Sequence, residues 1–161
     1  MKTLIVYYSL QGNTDYAAKR IAENIGADTL RLYSKKAYKD KGFSKFLSGG
    51  RSAIKEETPN LADYDIDLSE YDRIIFGFPV WASNIAPPLR TFIAEHQAAL
   101  LEKDLAAFAT QGGSGAPKAL AKLRKTIGID TFSSEGVFIE PKLHQSEDTD
   151  AAIDAFSEEL K

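Results

Sequence analysis

SLQGNT, residues 9–14, gathers Ser9, Gln11, Asn13 and Thr14 around a single glycine, Gly12, directly after an apolar run. Hydroxyls, amides and backbone N–H groups in one turn make an anion site when a helix begins there. The first turn of a helix leaves its N–H groups unpaired and carries a partial positive charge. Gly12 lets the backbone turn sharply or approach a ligand closely. The six residues contain no Lys or Arg. A phosphate held by neutral donors alone is a handle rather than a group in transit. The stretch fits neither the GxxxxGK[ST] nucleotide loop nor the GxGxxG dinucleotide fingerprint. Read by itself, it serves equally well as a turn and helix cap, with Asn13 or Thr14 as the capping residue.

Two more loops have chemical character. FPVWASNIAPPL, residues 78–89, holds the only Trp of the chain, Trp81, among Pro79, Val80, Ala82, Ser83 and Asn84. A lone Trp is commonly a core residue, but one that directly follows a strand end offers a face on which a flat ligand can stack. TQGGSG comprises Thr110, Gln111, Gly112, Gly113, Ser114 and Gly115, so half of its six residues are glycine. It reads either as a close backbone approach to a ligand or as a flexible turn. Other candidates are weaker. Ser114 has no visible base, and no GxSxG elbow or carboxylate pair stands out. His96 and His144 read as structural or surface residues, each without a second metal ligand at suitable spacing. Tyr7 and Tyr8 abut the first loop and read as strand packing.

The elements that must position these loops follow from the apolar pattern. TLIVYY at 3–8, RIIFGF at 73–78 and LAAFAT at 105–110 are continuous apolar runs, as expected of strands buried on both faces. Residues 28–33 alternate Leu30 and Leu32 inward, a weaker and more peripheral strand, and residues 131–139 give a fifth. Between them, Ala17, Ala18, Ile21, Ala22 and Ile25 form one helical stripe closed by Gly26. Leu89, Phe92, Ile93, His96 and Leu100 form another behind Pro87 and Pro88. Ala119, Leu120, Leu123 and Ile127 mark a third, and a last helix runs from Thr149 as N-cap to Leu160 with Ile153 and Phe156 inward. Strand and helix alternating in this way imply an α/β fold: a three-layer, doubly wound, five-stranded parallel sheet. Ligands of such sheets bind outside the carboxyl ends of the strands, where the strand order switches, so all three loops fall on the expected edge.

The rhythm breaks at residues 34–72. Residues 35–55 carry seven Lys/Arg against one acid, Asp40, and residues 56–72 carry seven acids and no base. The plain expectation is a solvated helix, with Phe43, Phe46 and Leu47 docked inward, followed by an acidic loop containing Pro59. The alternative is a docking surface that steers a redox partner or an anionic substrate.

YYSLQGNT, GFPVWASNIAPPLRTFI and FATQGGSG, in this order, resemble the flavodoxin family of FMN-binding domains over nearly the whole chain, and KGFSKFLSGG resembles the segment after the second strand in one bacterial subgroup. The resemblance implies strand order 2-1-3-4-5 and non-covalent FMN. It assigns the phosphate to Ser9, Gln11, Gly12, Asn13 and Thr14. It assigns the ring and ribityl chain to Pro79, Val80, Trp81, Ala82, Ser83 and Asn84, with Trp81 on a ring face. Thr110, Gln111, Gly112, Gly113, Ser114 and Gly115 would close the pyrimidine side. The sequence departs from the family pattern in two ways. Gln11 stands where Thr is usual, and TQGGSG lacks the aromatic that often covers the second ring face. The chain is similar to the short form, without an insertion in the last strand.

Composition narrows the rest. At 161 residues the expectation is one domain, and 43% hydrophobic with 27% charged residues is the profile of a soluble globular chain. The net charge of -3 gives no reason to expect nucleic acid, and the absence of Cys excludes thiol catalysis, disulfides and Cys-ligated metals. The apolar stretch before residue 9 is short for a signal segment, and no run reaches membrane-spanning length, so a cytoplasmic protein without a membrane partner is expected. The leading function is electron transfer between redox partner proteins, a reductase and an acceptor, or to a small acceptor. The alternatives are an FMN-dependent NAD(P)H:quinone or nitro reductase, and a flavin-free interaction module of the same fold. A monomer or weak dimer is expected.

Overall fold

A computed structural model describes residues 1–35, 38 and 50–161. Phe43, Phe46 and Leu47, expected to dock inward, and most of the basic run lie outside those residues. Five parallel strands form one sheet in the order β2-β1-β3-β4-β5. They are β1 (Thr3–Tyr8), β2 (Asp28–Leu32), β3 (Arg73–Pro79), β4 (Asp104–Gln111) and β5 (Glu135–Ile139). The helices are α1 (Asn13–Ile25), α2 (Pro87–Leu100), α3 (Ala116–Ile127) and α4 (Glu147–Glu159), with a further helical stretch at residues 50–54. The expected order and three layers are therefore present.

Alternation along the strands builds the two interlayer cores. Leu4, Val6 and Tyr8 of β1 join Phe76 and Phe78 of β3 under Leu89, Phe92 and Ile93 of α2 and Leu120 and Leu123 of α3. Ile5 and Tyr7 point the other way, with Ile75, Phe108 and Phe138, beneath Ala17, Ala18 and Ile21 of α1 and Ile153 and Phe156 of α4. β1, covered on both faces, is buried along its whole length, which explains its unbroken apolar run. β2 lies at an edge and reaches full burial only at Leu32, as its weaker pattern implied. β5, the other edge, buries Gly136 and Phe138 but exposes Val137 and Ile139.

Two boundaries differ from the sequence expectation. β5 starts at Glu135, not at 131, although Ser133 N already donates to Leu105 O at 2.8 Å and Ala107 N to Ser134 O at 3.1 Å. Residues 131–134 thus lead into the ladder without forming it. The N-cap of α4 is Ser146, not Thr149: the Ser146 hydroxyl accepts from Thr149 N at 3.1 Å and donates to Thr149 Oγ1. Two hydroxyl residues three apart gave the pattern two possible starts, and the earlier one satisfies the helix donors.

α1 is held against α4 by polar bonds as well as by its apolar stripe. Arg20 donates from Nε to Asp154 Oδ1 at 2.7 Å and from Nη2 to Asp154 Oδ2 at 2.8 Å, and Asn24 Nδ2 adds a third bond at 2.8 Å. These bonds, Arg20 first, pull the Asp154 carboxyl down to about 2. The depressed value means stability that is complete above the ordinary carboxyl pKa of 3.8 and is lost as pH falls through about 2. Because the Asp154 side chain is 43% exposed, solvent screening limits its contribution. Asp154→Asn should cost about 0.5–1 kcal/mol in urea unfolding at neutral pH. The difference from the native chain should shrink as the pH is lowered from 3.8 toward 2. A difference that does not change with pH would refute the charged clamp.

Candidate functional site

The sheet order places its switch between β1 and β3, since the chain leaves β1 for β2 on one side and β3 for β4 on the other. A cavity of about 590 Å³ opens over that point, a size suited to a small cofactor. Its wall takes Ser9, Leu10, Gln11, Asn13 and Thr14 from the first loop, and Pro79, Val80, Trp81, Ala82 and Ser83 from the loop after β3. Thr110, Gln111, Gly112, Gly113 and Ser114 complete it from β4, with Gly50 and Glu140 added from elsewhere. The three loops singled out in the sequence therefore meet. Of their candidate residues, Gly12, Asn84 and Gly115 do not line the cavity.

In the first loop Gly12 is the N-cap of α1, at φ 99°, with no side chain capping from that position. Neither Asn13 nor Thr14 is the cap. Ser9 Oγ instead accepts from Asp15 N at 3.1 Å, and the hydroxyl keeps its own hydrogen to give. Asn13 Oδ1 accepts from the backbone N–H of Lys142 at 2.9 Å and of Leu143 at 3.0 Å, which leaves its NH2 as the donating end. Thr14 and Thr110 share a buried hydroxyl–hydroxyl bond of 2.8 Å, joining the first loop to the end of β4. Asp15 puts an acid in the first turn. Burial works against its ionisation, yet bonds from Lys19 and Tyr7, with the nearby Arg31, keep its pKa below the usual value. Burial, together with the bond to Asp15, pushes the Tyr7 phenol well up.

Among the described residues, the loop and the cavity lining contain no Lys or Arg, but two cations lie beside the loop. Arg31 of β2 reaches behind it, donating from Nη2 to Ser9 O at 3.0 Å and from Nη1 to Asp15 Oδ1 at 3.4 Å. Lys142, after β5, lies over Gly12: a Cβ placed there would sit 2.8 Å from its Nζ. Two cations thus stand beside a loop that contains none. Neither cation is adjacent in sequence, so only the pairing of β1 with β2 and the strap to Asn13 reveal them.

The second loop makes a tight turn. Trp81 N donates to Asn84 O at 3.1 Å and Asn84 N to Trp81 O at 3.0 Å, while Ala82 and Ser83 take φ of 50° and 57°. Two consecutive left-handed residues without glycine cost about 1 kcal/mol or more each. Asn84 holds the turn in place. It is 1% exposed, donates to Ala53 O at 3.0 Å, and accepts from Ile85 N at 2.9 Å and from Arg90 Nη2 at 2.8 Å. It is an anchor under the turn, not a wall residue. Trp81 is half-buried and packs edge-to-face on Tyr8, at 5.6 Å between ring centroids, and on Tyr38, at 5.0 Å. Tyr8 is strand packing, as expected, and also supports Trp81; Tyr38, inside the basic run, gave no signal in sequence.

Gly115 caps α3 at φ +103°, where a Cβ would meet Ser83 Oγ at 2.7 Å and Ser83 Cα at 3.0 Å. The third loop therefore presses directly on the strained turn. Gln111 Oε1 accepts from Ala116 N at 2.9 Å, a helix-capping role beside its place in the wall. Gly112, Gly113 and Ser114 are exposed. Facing Gly112 is Glu140, a single acid after β5 that no motif in the sequence marks. Its N–H donates to Gln111 O at 3.1 Å, its φ is 39°, and its carboxylate pairs with His144. His144 is thus a surface residue, but one with a carboxylate partner four positions before it. His96 Nε2 meets Tyr64 OH at 2.8 Å. Among the described residues no group of three His, Cys, Asp or Glu is placed to hold a metal, and no helix is long and apolar enough to cross a membrane.

Comparison with known proteins agrees with this fold. A flavoprotein from Lactobacillus acidophilus, crystallised in complex with FMN, shares 21% identity at TM-score 0.75, covering 97% of this chain and 98% of that one. A candidate flavoprotein from Bacteroides uniformis shares 25% identity at TM-score 0.73, covering 92% and 94%. Flavodoxin 1 of Bacillus cereus shares 17% at TM-score 0.57, covering 99% and 97%. The sequence model of the family described as flavodoxin matches residues 2–157, nearly the full length, and the chain belongs to the flavodoxin family.

Proposed function

We propose that the chain binds FMN non-covalently in the cavity above β1, β3 and β4 and acts in electron transfer. One observation carries this reading: a single cavity joins an anion-suited helix N-terminus, an aromatic wall and a polar backbone loop, each from a different strand end. The residues fit the cofactor chemically. The first turn of α1 and the Ser9, Asn13 and Thr14 side chains suit a phosphate, the more so with Arg31 behind them. Trp81, braced by Tyr8 and Tyr38, suits a flat ring, and Thr110 to Ser114 offer backbone groups to its polar edge. FMN supplies redox chemistry that the side chains lack. The chain's own part is to bind, to orient the ring by the Trp81–Asn84 turn, and to keep one side of the cavity dry. Glu140 places a negative charge at the other side, which works against additional negative charge there. In this reading the partners are a reductase and an acceptor protein, or a small acceptor. Cytoplasmic location, no nucleic-acid or membrane partner, and a monomer or weak dimer go with it.

A second reading is favoured by the exposure of Gly112, Gly113 and Ser114, with no aromatic among them. A side left open in this way admits a quinone or nitro compound, which makes the chain an FMN-dependent NAD(P)H reductase. The two readings part in the cuvette. The carrier, purified and loaded, should oxidise NAD(P)H with a quinone present only when a separate flavin reductase is added; steady turnover by the holoprotein alone would replace it with the enzyme. The third reading, a flavin-free interaction module, predicts no FMN uptake on titration.

Trp81→Ala should weaken FMN binding about tenfold and shift the visible absorption of the bound flavin. Titration followed by difference spectroscopy checks this, and unchanged affinity together with an unchanged spectrum would remove Trp81 from the ring site.

A further inference from the structure

The stretch that follows β5, Glu140-Pro141-Lys142-Leu143, lies beside the site without belonging to any of the three loops: Glu140 lines the cavity, and the next residues bond Asn13 of its wall. Its backbone is fastened to α1, with the N–H groups of Lys142 and Leu143 both donating to Asn13 Oδ1. From that fixed point the Lys142 side chain runs back across the helix start. A Cβ on Gly12 would lie 2.8 Å from Nζ and 2.9 Å from Cδ of Lys142, so this exposed side chain lies directly over the loop glycine, between the wall residues Gln11 and Asn13. Its ammonium enters none of the ion pairs found among the described residues. Asp15 pairs with Lys19 and Arg31, and Glu140 with His144.

This is an unfavourable place for a solvent-exposed cation. The N-terminus of a helix carries partial positive charge and repels an ammonium. A lysine has ample freedom to swing into water instead. The arrangement becomes favourable when an anion lies between the N–H groups and the ammonium, since each then attracts the same charge.

We propose that Lys142 is a cationic ligand for the phosphate end of the flavin, and that it makes the site selective for the phosphorylated cofactor over riboflavin. This rests on the FMN reading above. The neutral loop shapes the phosphate seat; Lys142 adds charge from the far edge of the sheet, and Asn13 fixes where that charge is delivered. The assignment differs from the roles given to the loop residues because it carries a salt dependence that neutral donors lack.

Lys142→Gln removes the charge and retains the backbone N–H that bonds Asn13; Lys142→Arg restores the charge. Dissociation constants for FMN and for riboflavin, read by flavin fluorescence at low and high salt, test the proposal. At low salt the Gln variant should bind FMN about tenfold more weakly, with riboflavin changed by less than about twofold, and should lose most of the salt dependence of FMN binding. The Arg variant should recover both. FMN binding that is unchanged in the Gln variant, or equal losses for FMN and riboflavin, would overturn the role of Lys142 and leave the flavin reading standing. A native chain that takes up neither flavin would overturn both.

Discussion

The hydrogen bond between the hydroxyls of Thr14 and Thr110 joins the two ends of the site. Thr14 belongs to the first turn of α1 and Thr110 to the end of β4, with β3 lying between their strands in the sheet. It is buried, so an unpaired hydroxyl on either side would cost about 1–3 kcal/mol. Because it forms at the first turn, it sets where the unpaired N–H groups of α1 point relative to the rest of the cavity. Other contacts build outward from it. Val80 N donates to Thr110 O at 2.9 Å, which sets the start of the Trp81 turn, and Gly115 then packs against Ser83. The rear of α1 is tied separately, through Arg20, Asn24 and Asp154, so the helix is held toward both ends.

The layered sheet was legible because its signals are local. TLIVYY and RIIFGF are buried on both faces and show unbroken apolar runs; the Ala17 to Ile25 stripe has one face to bury and shows a helical period. Loop positions followed from the sheet rule rather than from loop composition, and that is why three loops of different character could be assigned to one edge. The boundaries that moved, at β5 and α4, lie where side chains bond the backbone just outside an element and blur its apparent end.

What could not be read from the sequence is the electrostatics and the support of the site. Arg31, Glu140 and Lys142 reach it from the ends of β2 and β5, far from the loops that look functional, and nothing in their immediate neighbours marks them. The family resemblance assigns Asn84 to the ring and ribityl chain, yet its three side-chain bonds run to Ala53, Ile85 and Arg90. A polar residue in a loop at a cavity has two ways to be satisfied, by ligand or by protein, and its place in the sequence does not distinguish them. Tyr38 adds the same lesson for apolar contacts, since a residue in a charged run closes an aromatic cluster around Trp81.

That cluster gives the protein a built-in optical label. Trp81 is the only tryptophan of the chain, so tryptophan emission arises at the cavity wall and nowhere else. Tyr8 and Tyr38, in contact with it, are placed to pass excitation energy to the indole. Any event that reshapes the wall, whether occupancy of the cavity or release of the Ala82–Ser83 backbone, is therefore reported by a single fluorophore with no labelling.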